Sequence, residues 1–449
     1  MIYRGGEKFD MSKKISEVSM GLWLAEHPIL KEKSRSIREK YLGFLFCYTP
    51  PGRSRLTDSL LALYRKRILE DETFDPVPNP SIKGLFKYRF ALYMDIWFLN
   101  AFGDREQAQY LLRELETKAG LAGIYKKKLR FLYERLYVRD NGVRFPRVEP
   151  LIDLWQKNNA FFQQPVRKIA FTANMSAGKS TLINALVGKK VNKSQSIACT
   201  AKLHYIWNKP FEDGFSAEDD NVLNLDADYM TLMTDDEGNK SSKITVGTYF
   251  RLMCGEPGPL CLLDTPGVNS ALDEAHRKIT KNAMAKGDFD RLVYVVNADG
   301  AIATNDEHAY MTYLAQNLGK EPIIFAVNKL DCFRAGEDSV SESLKGIRED
   351  IRKLGFENAV VCPVSAYAGY LAKKALYDGG LEEDEQDELD VMRRIFRRKD
   401  YDLSAYYPRE AAEAGRQAAE AQTDPDRQKY YQLLCNCGIL PLEYILTKK

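Results

Sequence analysis

The sequence predicts an α/β protein in which a mostly parallel sheet is flanked along the chain by helical segments. The chain has 449 residues, more than one compact domain usually holds. From Val166 onwards, short β-rich runs alternate with helical runs, which is typical of a parallel sheet covered on both faces. Helical patterns dominate before and after that region. We therefore expect an α-helical domain at 1–160, the sheet domain at 161–375, and a C-terminal helical segment at 376–449 that packs on either of them.

The charge is nearly balanced over the whole chain but not along it. The formal net charge is +2, so no bulk charge indicates a nucleic-acid partner. Residues 1–165 carry 29 Lys and Arg against 20 Asp and Glu, a balance of +9, which leaves −7 for the remainder. This basic first third fits an acidic partner, a membrane surface or a solvated helical face.

The first 160 residues are predicted to be helical. One helix face is expected from four residues at i, i+3, i+4 and i+7: Leu129, Leu132, Tyr133 and Leu136. The most apolar stretch, from Leu85 to Phe102, is interrupted by Lys87, Arg89 and Asp95. Three charges are too many for a membrane-spanning helix, so we expect a buried core helix there.

Cysteine spacing and the first residues indicate the compartment. Eight cysteines are scattered, and Cys435 and Cys437 have no second pair nearby, so the pattern argues against a zinc site. The opening run MIYRGGEKFD has no apolar signal core. We expect a protein of the reducing cytoplasm.

The sheet is predicted from six short runs: VRKIAFTA (166–173), KLHYIW (202–207), PLCLLD (259–264), RLVYVVNA (291–298), PIIFAVNK (322–329) and AVVCPVSA (359–366). Beyond residue 366 the chain is predicted to be helical. The acidic run at 381–390 is expected to be a solvated helix face, and a final amphipathic helix includes Tyr430, Leu433 and Leu434.

The strongest motif is ANMSAGKST at 173–181, which follows a predicted strand and precedes a predicted helix. That context is required for a phosphate-binding loop, whose backbone N–H groups and helix N-terminus attract phosphate. Gly178 lets the backbone approach, Lys179 suits the β- and γ-phosphates, and the Ser180 hydroxyl suits Mg²⁺. The expected phosphate contacts are Ser176, Ala177, Gly178, Lys179, Ser180 and Thr181.

Two further segments are expected near the γ-phosphate. Asp264 in DTPG suits a water-mediated contact to Mg²⁺, and the Gly267 N–H suits the γ-phosphate. Thr200 is expected to complete the metal shell and sense the γ-phosphate, which would make its loop a switch. The predicted metal ligands are Ser180, Thr200 and Asp264, and the predicted catalytic residues are Lys179, Ser180 and Thr200.

Base recognition is predicted at two later strand ends. The Asp331 carboxylate can accept hydrogen bonds from guanine N1 and N2, which adenine does not offer, while the Lys329 stem covers the base. Asn328 can tie this loop to the phosphate loop, and the Ala366 N–H, after Ser365, can meet the guanine O6. Each motif alone also fits a polar turn. All of these motifs follow predicted strands and occur along the chain in the order expected for a guanine-nucleotide site. Because α/β proteins bind ligands at strand ends, the motifs together predict such a site.

These motifs resemble the dynamin family, particularly bacterial dynamin-like proteins. The resemblance rests on SAGKSTLINALVG, a threonine switch, LLDTPGV, VNKLD and VSA, and covers about residues 166–370. The pair Ser176-Ala177, the long Thr200–Asp264 interval and the segment 296–314 favour it over small Ras-like GTPases. The resemblance implies a P-loop GTPase domain with low nucleotide affinity, nucleotide-dependent dimerisation, flanking helices packed as a neck or bundle, and often membrane remodelling.

Two positions depart from dynamin. Dynamin has a glycine where this chain has Ala173, and a water-positioning glutamine where this chain has Met175, whose thioether orients water poorly. Hydrolysis is not excluded, since other dynamin-like branches vary here, but the residue that supplies this function is unidentified. Ser176 matches the position that in dynamin helps hold a monovalent cation.

The expected function is therefore a dynamin-like GTPase that uses GTP and Mg²⁺, forms a nucleotide-dependent homodimer and moves its helical domain. One alternative is a nucleotide-gated, partner-binding switch with little hydrolysis, motivated by Met175. Another is an RNA- or ribosome-associated GTPase, supported by the basic first third alone. A peripheral position on an anionic membrane follows from the resemblance, and Lys126–Lys128 is the local basic feature that could support it.

Overall fold

The structure is a computed structural model. It describes residues 19–52, 54–70, 84–101, 104–118, 123–174, 176–192, 202–220, 222–228, 231–232, 243–255, 258–266, 288–298, 305–317, 323–334 and 337–448. The chain divides into two compact units. The first runs to Gln164 and includes Pro210–Glu218 and Val222–Asp226, and the second comprises Pro165–Lys209, Asp219–Asn221 and Ala227–Lys449. The three-part division expected from the sequence stays a prediction.

The first unit is built mainly of helices. They are α1 (Met20–Ala25), α2 (Arg35–Tyr48), α3 (Arg55–Leu69), α4 (Arg89–Ala101), α5 (Arg105–Lys118), α6 (Gly123–Tyr137) and α7 (Glu149–Phe162). The four residues predicted to share one helix face lie on α6 and are all buried, as the periodicity requires. Helical character before residue 160 is thus confirmed for the described residues.

Helix α4 is the core helix that the apolar stretch predicts. Its central residues are buried on every side, including Asp95 at 0% exposure. A buried carboxylate needs partners, because an uncompensated charge in the interior is costly. The Asp95 oxygens contact four buried side chains: Trp23, His27, Tyr41 and Tyr64. The charge in this apolar helix therefore anchors a polar network in the core.

Nine strands form one sheet in the order β4-β3-β5-β2-β6-β1-β7-β8-β9. They are β1 (Arg167–Ala173), β2 (Leu203–Asn208), β3 (Ala217–Asp220), β4 (Val222–Asn224), β5 (Lys243–Thr248), β6 (Leu260–Asp264), β7 (Arg291–Asn297), β8 (Ile324–Asn328) and β9 (Val360–Pro363). Strand β1 pairs in parallel with β6 and β7, and the parallel order continues through β8 to β9. Strand β2 is antiparallel to β6 and parallel to β5. The predicted α/β fold with a mostly parallel sheet and helical flanks is confirmed.

Three strands were not predicted, namely β3, β4 and β5. The first two are short and carry acidic or amide side chains, so they lack the apolar run that marks a strand. Strand β5 is buried, but its sequence KITVGT has only two aliphatic residues, Ile244 and Val246. The extended conformation of β5 therefore depends more on its pairing with β2 than on its own amino-acid composition.

The second unit also contains eight described helices. They are α8 (Lys179–Val187), α9 (Asn305–Asn317), α10 (Val340–Lys353), α11 (Ala366–Tyr377), α12 (Glu383–Phe396), α13 (Arg409–Glu420), α14 (Pro425–Asn436) and α15 (Ile439–Thr447). Leu434 and Ile439 belong to the same buried cluster as Phe171 on β1, so the C-terminal helices complete the core under the sheet. The acidic run lies on α12, where most of its side chains are exposed or half-buried and Leu389 is buried. Within the described residues, no helix combines the length and apolar character needed to cross a bilayer.

Candidate nucleotide-binding site

The predicted motifs meet at one edge of the sheet. Strands β1, β6, β7, β8 and β9 run in the same direction, so their carboxyl ends lie at a common edge. Ligands of α/β proteins bind in the crevice at such ends. Strand β2 runs the other way, which brings His204 near its start into register with Asp264 at the end of β6. His204 therefore lies on the strand, as expected, at the edge where the motifs gather.

The phosphate loop connects β1 to α8. Ser176 has a φ of 64° and Gly178 a φ of 86°, so the backbone enters the left-handed region at both positions before the helix begins. Ala177 is buried, and its N–H is 3.4 Å from the Asn174 carbonyl oxygen. Lys179 and Ser180 start helix α8, where the unpaired backbone N–H groups of the first turn attract anions. The geometry is that of an anion-binding strand–loop–helix.

Gly178 is required by a close approach as well as by its positive φ. A β-carbon at this position would lie 2.2 Å from Nδ2 of Asn328, far inside van der Waals contact. Asn328 in turn donates from Nδ2 to the Ala177 carbonyl oxygen at 3.0 Å. Its Oδ1 accepts a hydrogen bond from the Ala366 N–H at 2.9 Å. One buried amide thus connects the phosphate loop to both loops expected to hold the base.

The Asp264 carboxylate is held by two donors. Lys179 Nζ forms an ion pair with Oδ1, and Asn192 Nδ2 donates to Oδ2 at 2.7 Å. Asn192 is itself fixed by Asn184 of α8, whose Oδ1 accepts from the N–H groups of Val191 and Asn192 at 2.9 Å each. Asp264 is therefore positioned from two sides by residues of the phosphate-loop helix and the segment after it.

The Asp331 carboxylate is held in place by a hydrogen bond from Ser365. Ser365 Oγ donates to Asp331 Oδ1 at 2.6 Å and also accepts from the Ala368 N–H at 3.2 Å, so it caps helix α11. Lys329 has a φ of 69°, a left-handed conformation that turns the chain sharply after β8. Asp331 and Ser365, which are 34 residues apart, are thus adjacent. The Ala366 N–H, expected at guanine O6, donates to Asn328 in this structure.

Several supporting residues were not found by sequence reasoning. The C-terminal helices hold the Ser365 loop, because the Ser365 N–H donates to the Cys437 carbonyl oxygen at 3.0 Å. Tyr407 contributes a buried hydroxyl that lies 3.0 Å from the Pro363 oxygen and 2.9 Å from the Gly438 oxygen. Burial raises the pKa of Tyr407 well above its ordinary value, so the hydroxyl stays a donor. A sequence signal existed only for Asn184, a polar residue on the apolar face of a predicted helix.

A buried ion pair lies at the far end of α8. Lys373 and Glu443 are both 0% exposed, with Nζ and Oε1 2.5 Å apart. Lys373 also donates to the Leu186 carbonyl oxygen at 3.0 Å, and Glu443 Oε2 accepts from the backbone N–H groups of Met253 and Cys254. Burial lowers the pKa of Lys373, and the Glu443 charge opposes that shift. The pair joins α11 and α15 to the last turn of the phosphate-loop helix.

Some predicted positions lie outside the described residues. Thr200, Gly267 and Met175 are among them, so their predicted roles stay predictions. For Mg²⁺, the available donors are the Ser180 hydroxyl and the Asp264 carboxylate, both of the hard oxygen type that this ion prefers. Both Asp264 oxygens already accept from protein donors, which suits contact through water more than direct ligation. The residues present therefore fit the ion.

Comparison with known proteins gives a family match for part of the chain. Residues 169–330 match the model of the dynamin family. The probable chloroplastic transmembrane GTPase FZO-like of Arabidopsis thaliana is 26% identical over 274 residues, which are 58% of this chain and 26% of that protein. Elongation factor 1-alpha of Thermococcus sibiricus is 32% identical over 112 residues, or 24% of each chain. The chain thus spans about a quarter of the length of these relatives.

Solved structures similar to the chain include an oligomerised bacterial dynamin pair, described as a mechanism for long-range sensing and tethering of membranes. It is 15% identical, covers 94% of this chain and 61% of that chain, and has a TM-score of 0.37. Era, solved in complex with MgGDPNP and nucleotides 1506–1542 of 16S ribosomal RNA, is 18% identical and covers 50% of this chain and 56% of that chain, with a TM-score of 0.28.

Proposed function

We propose that this chain, whose residues 169–330 belong to the dynamin family of GTPases, binds and hydrolyses GTP and couples the reaction to movement of its helical domain. The observation that carries the proposal is the Asn328 amide, which joins the phosphate loop to the two loops expected to read the base. A site assembled in this way can bind phosphates and guanine together. If the three loops were unrelated polar turns, nothing would require one side chain to connect them.

In this proposal each side chain has a separate task. Lys179, now paired with Asp264, exchanges that partner for the β- and γ-phosphates. The first-turn N–H groups of α8 and the Gly178 backbone hold the remaining oxygens. Asp331, oriented by Ser365, accepts the guanine N1 and N2 protons. Catalysis then rests on positioning and charge stabilisation, as in other phosphoryl transfers.

Two ions complete the proposed site. Ser180, Asp264 and Thr200 would hold Mg²⁺, which supplies positive charge at the β- and γ-phosphate oxygens. Ser176 would help hold a monovalent cation, a role that rests on its match to the dynamin position. This residue is exposed and left-handed, so its hydroxyl is available beside the phosphate loop.

The relatives support the wider proposal. One relative of the chain is a probable transmembrane GTPase, and residues 169–330 match the dynamin family model. We infer a nucleotide-dependent homodimer that acts at the surface of an anionic membrane from the cytoplasmic side. Co-sedimentation with anionic liposomes, with and without a GTP analogue, tests the membrane part. Failure to bind in both conditions would leave a GTPase switch without a membrane role.

A second candidate function is a nucleotide-gated switch that recruits a partner and hydrolyses GTP slowly. It is favoured by Met175, which stands where dynamin has its water-positioning glutamine. Single-turnover hydrolysis measured over a range of protein concentrations separates the two. Rapid turnover that increases with concentration supports the dimerising GTPase, whereas slow turnover that does not depend on concentration supports the switch.

A further inference from the structure

The helical first unit contains a cavity of about 580 Å³ that the nucleotide site does not use. Aromatic rings form much of its wall: Trp23, Phe98, Tyr137 and Trp155. Trp23 stacks on Phe98 with ring centroids 5.0 Å apart and planes within 11°, and Tyr137 meets Trp155 edge to face at 5.4 Å. These rings pack against one another and form an apolar part of the wall. Cavities of this volume and lining are typical of small-molecule sites.

Two of these rings carry polar groups without partners. Within the described residues, the Trp155 indole N–H and the Tyr137 hydroxyl are buried and make no hydrogen bond. Trp155 as a whole is only 6% exposed. Buried donors in native proteins are nearly always satisfied, and an unsatisfied one destabilises the fold. Burial also raises the pKa of Tyr137 well above its ordinary value, so its hydroxyl stays protonated and can donate. Both atoms are closed to a water-sized molecule, so a ligand in the cavity meets the ring faces of these residues rather than their donors.

The charges of the lining add a preference for anions. Arg135 and Asp140 compensate each other, with Arg135 Nε 3.4 Å from the carboxylate, and Arg135 also pairs with Glu149 at 2.7 Å. Arg105 and Arg139 line the cavity as well and are exposed. In the part of the chain that the structure describes, neither forms an ion pair. Their charges are thus left to attract an anion.

We propose that this cavity binds a small organic anion. Its aromatic or alkyl body lies against the aromatic rings of the wall, and its acidic group pairs with the exposed guanidinium groups of Arg105 and Arg139. The site is separate in residues and chemistry from the proposed GTP site. Its occupancy does not depend on whether the chain hydrolyses GTP.

The test uses the full chain and two matched probes. The probe 8-anilinonaphthalene-1-sulfonate is an aromatic anion whose fluorescence increases on binding, and N-phenyl-1-naphthylamine is its uncharged counterpart. We expect the anion to bind with roughly tenfold higher affinity than the neutral probe, and to accept excitation energy from tryptophan. Equal affinity of the two probes would contradict a site selective for anions.

Two tryptophan substitutions test whether the anionic probe binds in this cavity. Ala160 lines the cavity and is exposed, so Ala160→Trp should fill the space and weaken anion binding by about tenfold or more. Lys157→Trp is the matched control, since Lys157 is exposed on the same helix but does not line the cavity. It should leave the affinity unchanged. Equal binding by the wild type and Ala160→Trp would overturn the proposal.

Arg105→Gln keeps a long polar side chain and removes one of the two positive charges. We expect it to weaken binding of the anion by roughly threefold to tenfold and to leave binding of the neutral probe unaffected. Arg139→Gln should act on the anion alone in the same way. If both variants bind the anion as the wild type does, the proposal is wrong, even where Ala160→Trp fails to fold.

Discussion

The side-chain amide of Asn328 donates a 3.0 Å hydrogen bond to the carbonyl oxygen of Ala177, which joins the loop after β8 to the phosphate loop. The same amide accepts from the Ala366 N–H at 2.9 Å and is only 3% exposed. Its geometry also excludes a β-carbon at Gly178. The proposed recognition of base and phosphate therefore depends on one buried side chain.

Asn328→Asp should weaken GTP binding by about tenfold or more, because it removes the donor to Ala177 and puts a negative oxygen against that carbonyl. Equilibrium titration with a fluorescent GTP analogue measures the loss. Asn100→Asp is the control, since Asn100 is a buried donor in the helical unit, with bonds to Thr49 and Ile96. It should lower the free energy of unfolding without changing GTP affinity. Equal GTP affinity in Asn328→Asp and the wild type would contradict the role given to this amide.

Gly178→Ala should abolish GTP binding, because its methyl group would collide with Asn328 Nδ2 and its φ of 86° is strained for alanine. Gly346→Ala is the matched control on helix α10, where an added β-carbon meets no atom within 4 Å. That change should raise the free energy of unfolding by up to about 1 kcal/mol and leave binding intact. Calorimetric titration with GTP distinguishes the two, and tight binding by Gly178→Ala would count against this loop geometry.

Asp331→Asn should lower the affinity for GTP by about tenfold or more and raise that for xanthosine triphosphate. An amide at this position can donate to the xanthine oxygen but cannot accept both guanine protons. Its oxygen can still accept from Ser365, so the loop should stay folded. Competition between the two nucleotides on each variant gives the ratio of affinities. An unchanged preference for guanine would place base recognition elsewhere.

Glu443→Gln should lower the free energy of unfolding by about 3 kcal/mol, since it leaves the Lys373 charge buried without a counter-charge. Denaturant unfolding followed by circular dichroism measures the change. The control Glu413→Gln breaks an exposed pair with Arg409 and should have no measurable effect. If the two variants unfold alike, the buried pair does not hold α15 against the phosphate-loop helix.

Much of the arrangement at this edge of the sheet was predictable because its motifs are local. The phosphate loop, Asp264, the Asn328–Asp331 loop and Ser365 each follow an apolar strand, and parallel strands bring such ends together. The tie from Asn328 to the phosphate loop was also expected and is present.

The supporting contacts were not predictable in the same way. Asn192 reaches Asp264 across 72 positions, and Tyr407 reaches Pro363 across 44, so no periodic pattern records either contact. Strands β3 and β4 were missed because both are short, β3 carries three acidic side chains and β4 has only three residues. In the helical unit, the sequence alone identifies Asp95 only as a charge that argues against a membrane span. Its four partners are distant in the chain and reach Asp95 only because the helices pack together.

The most direct test of the central claim is GTP binding and hydrolysis by the wild type and by Lys179→Ala, measured with Mg²⁺ over a range of protein concentrations. The wild type should bind GTP in preference to ATP and hydrolyse it faster per molecule as its concentration rises. Lys179→Ala should lose binding or turnover, because it removes the ammonium group to which the proposal assigns the β- and γ-phosphates. Undiminished GTP turnover by Lys179→Ala, or equal affinity of the wild type for ATP and GTP, would contradict the assignment of this edge of the sheet as a guanine-nucleotide site.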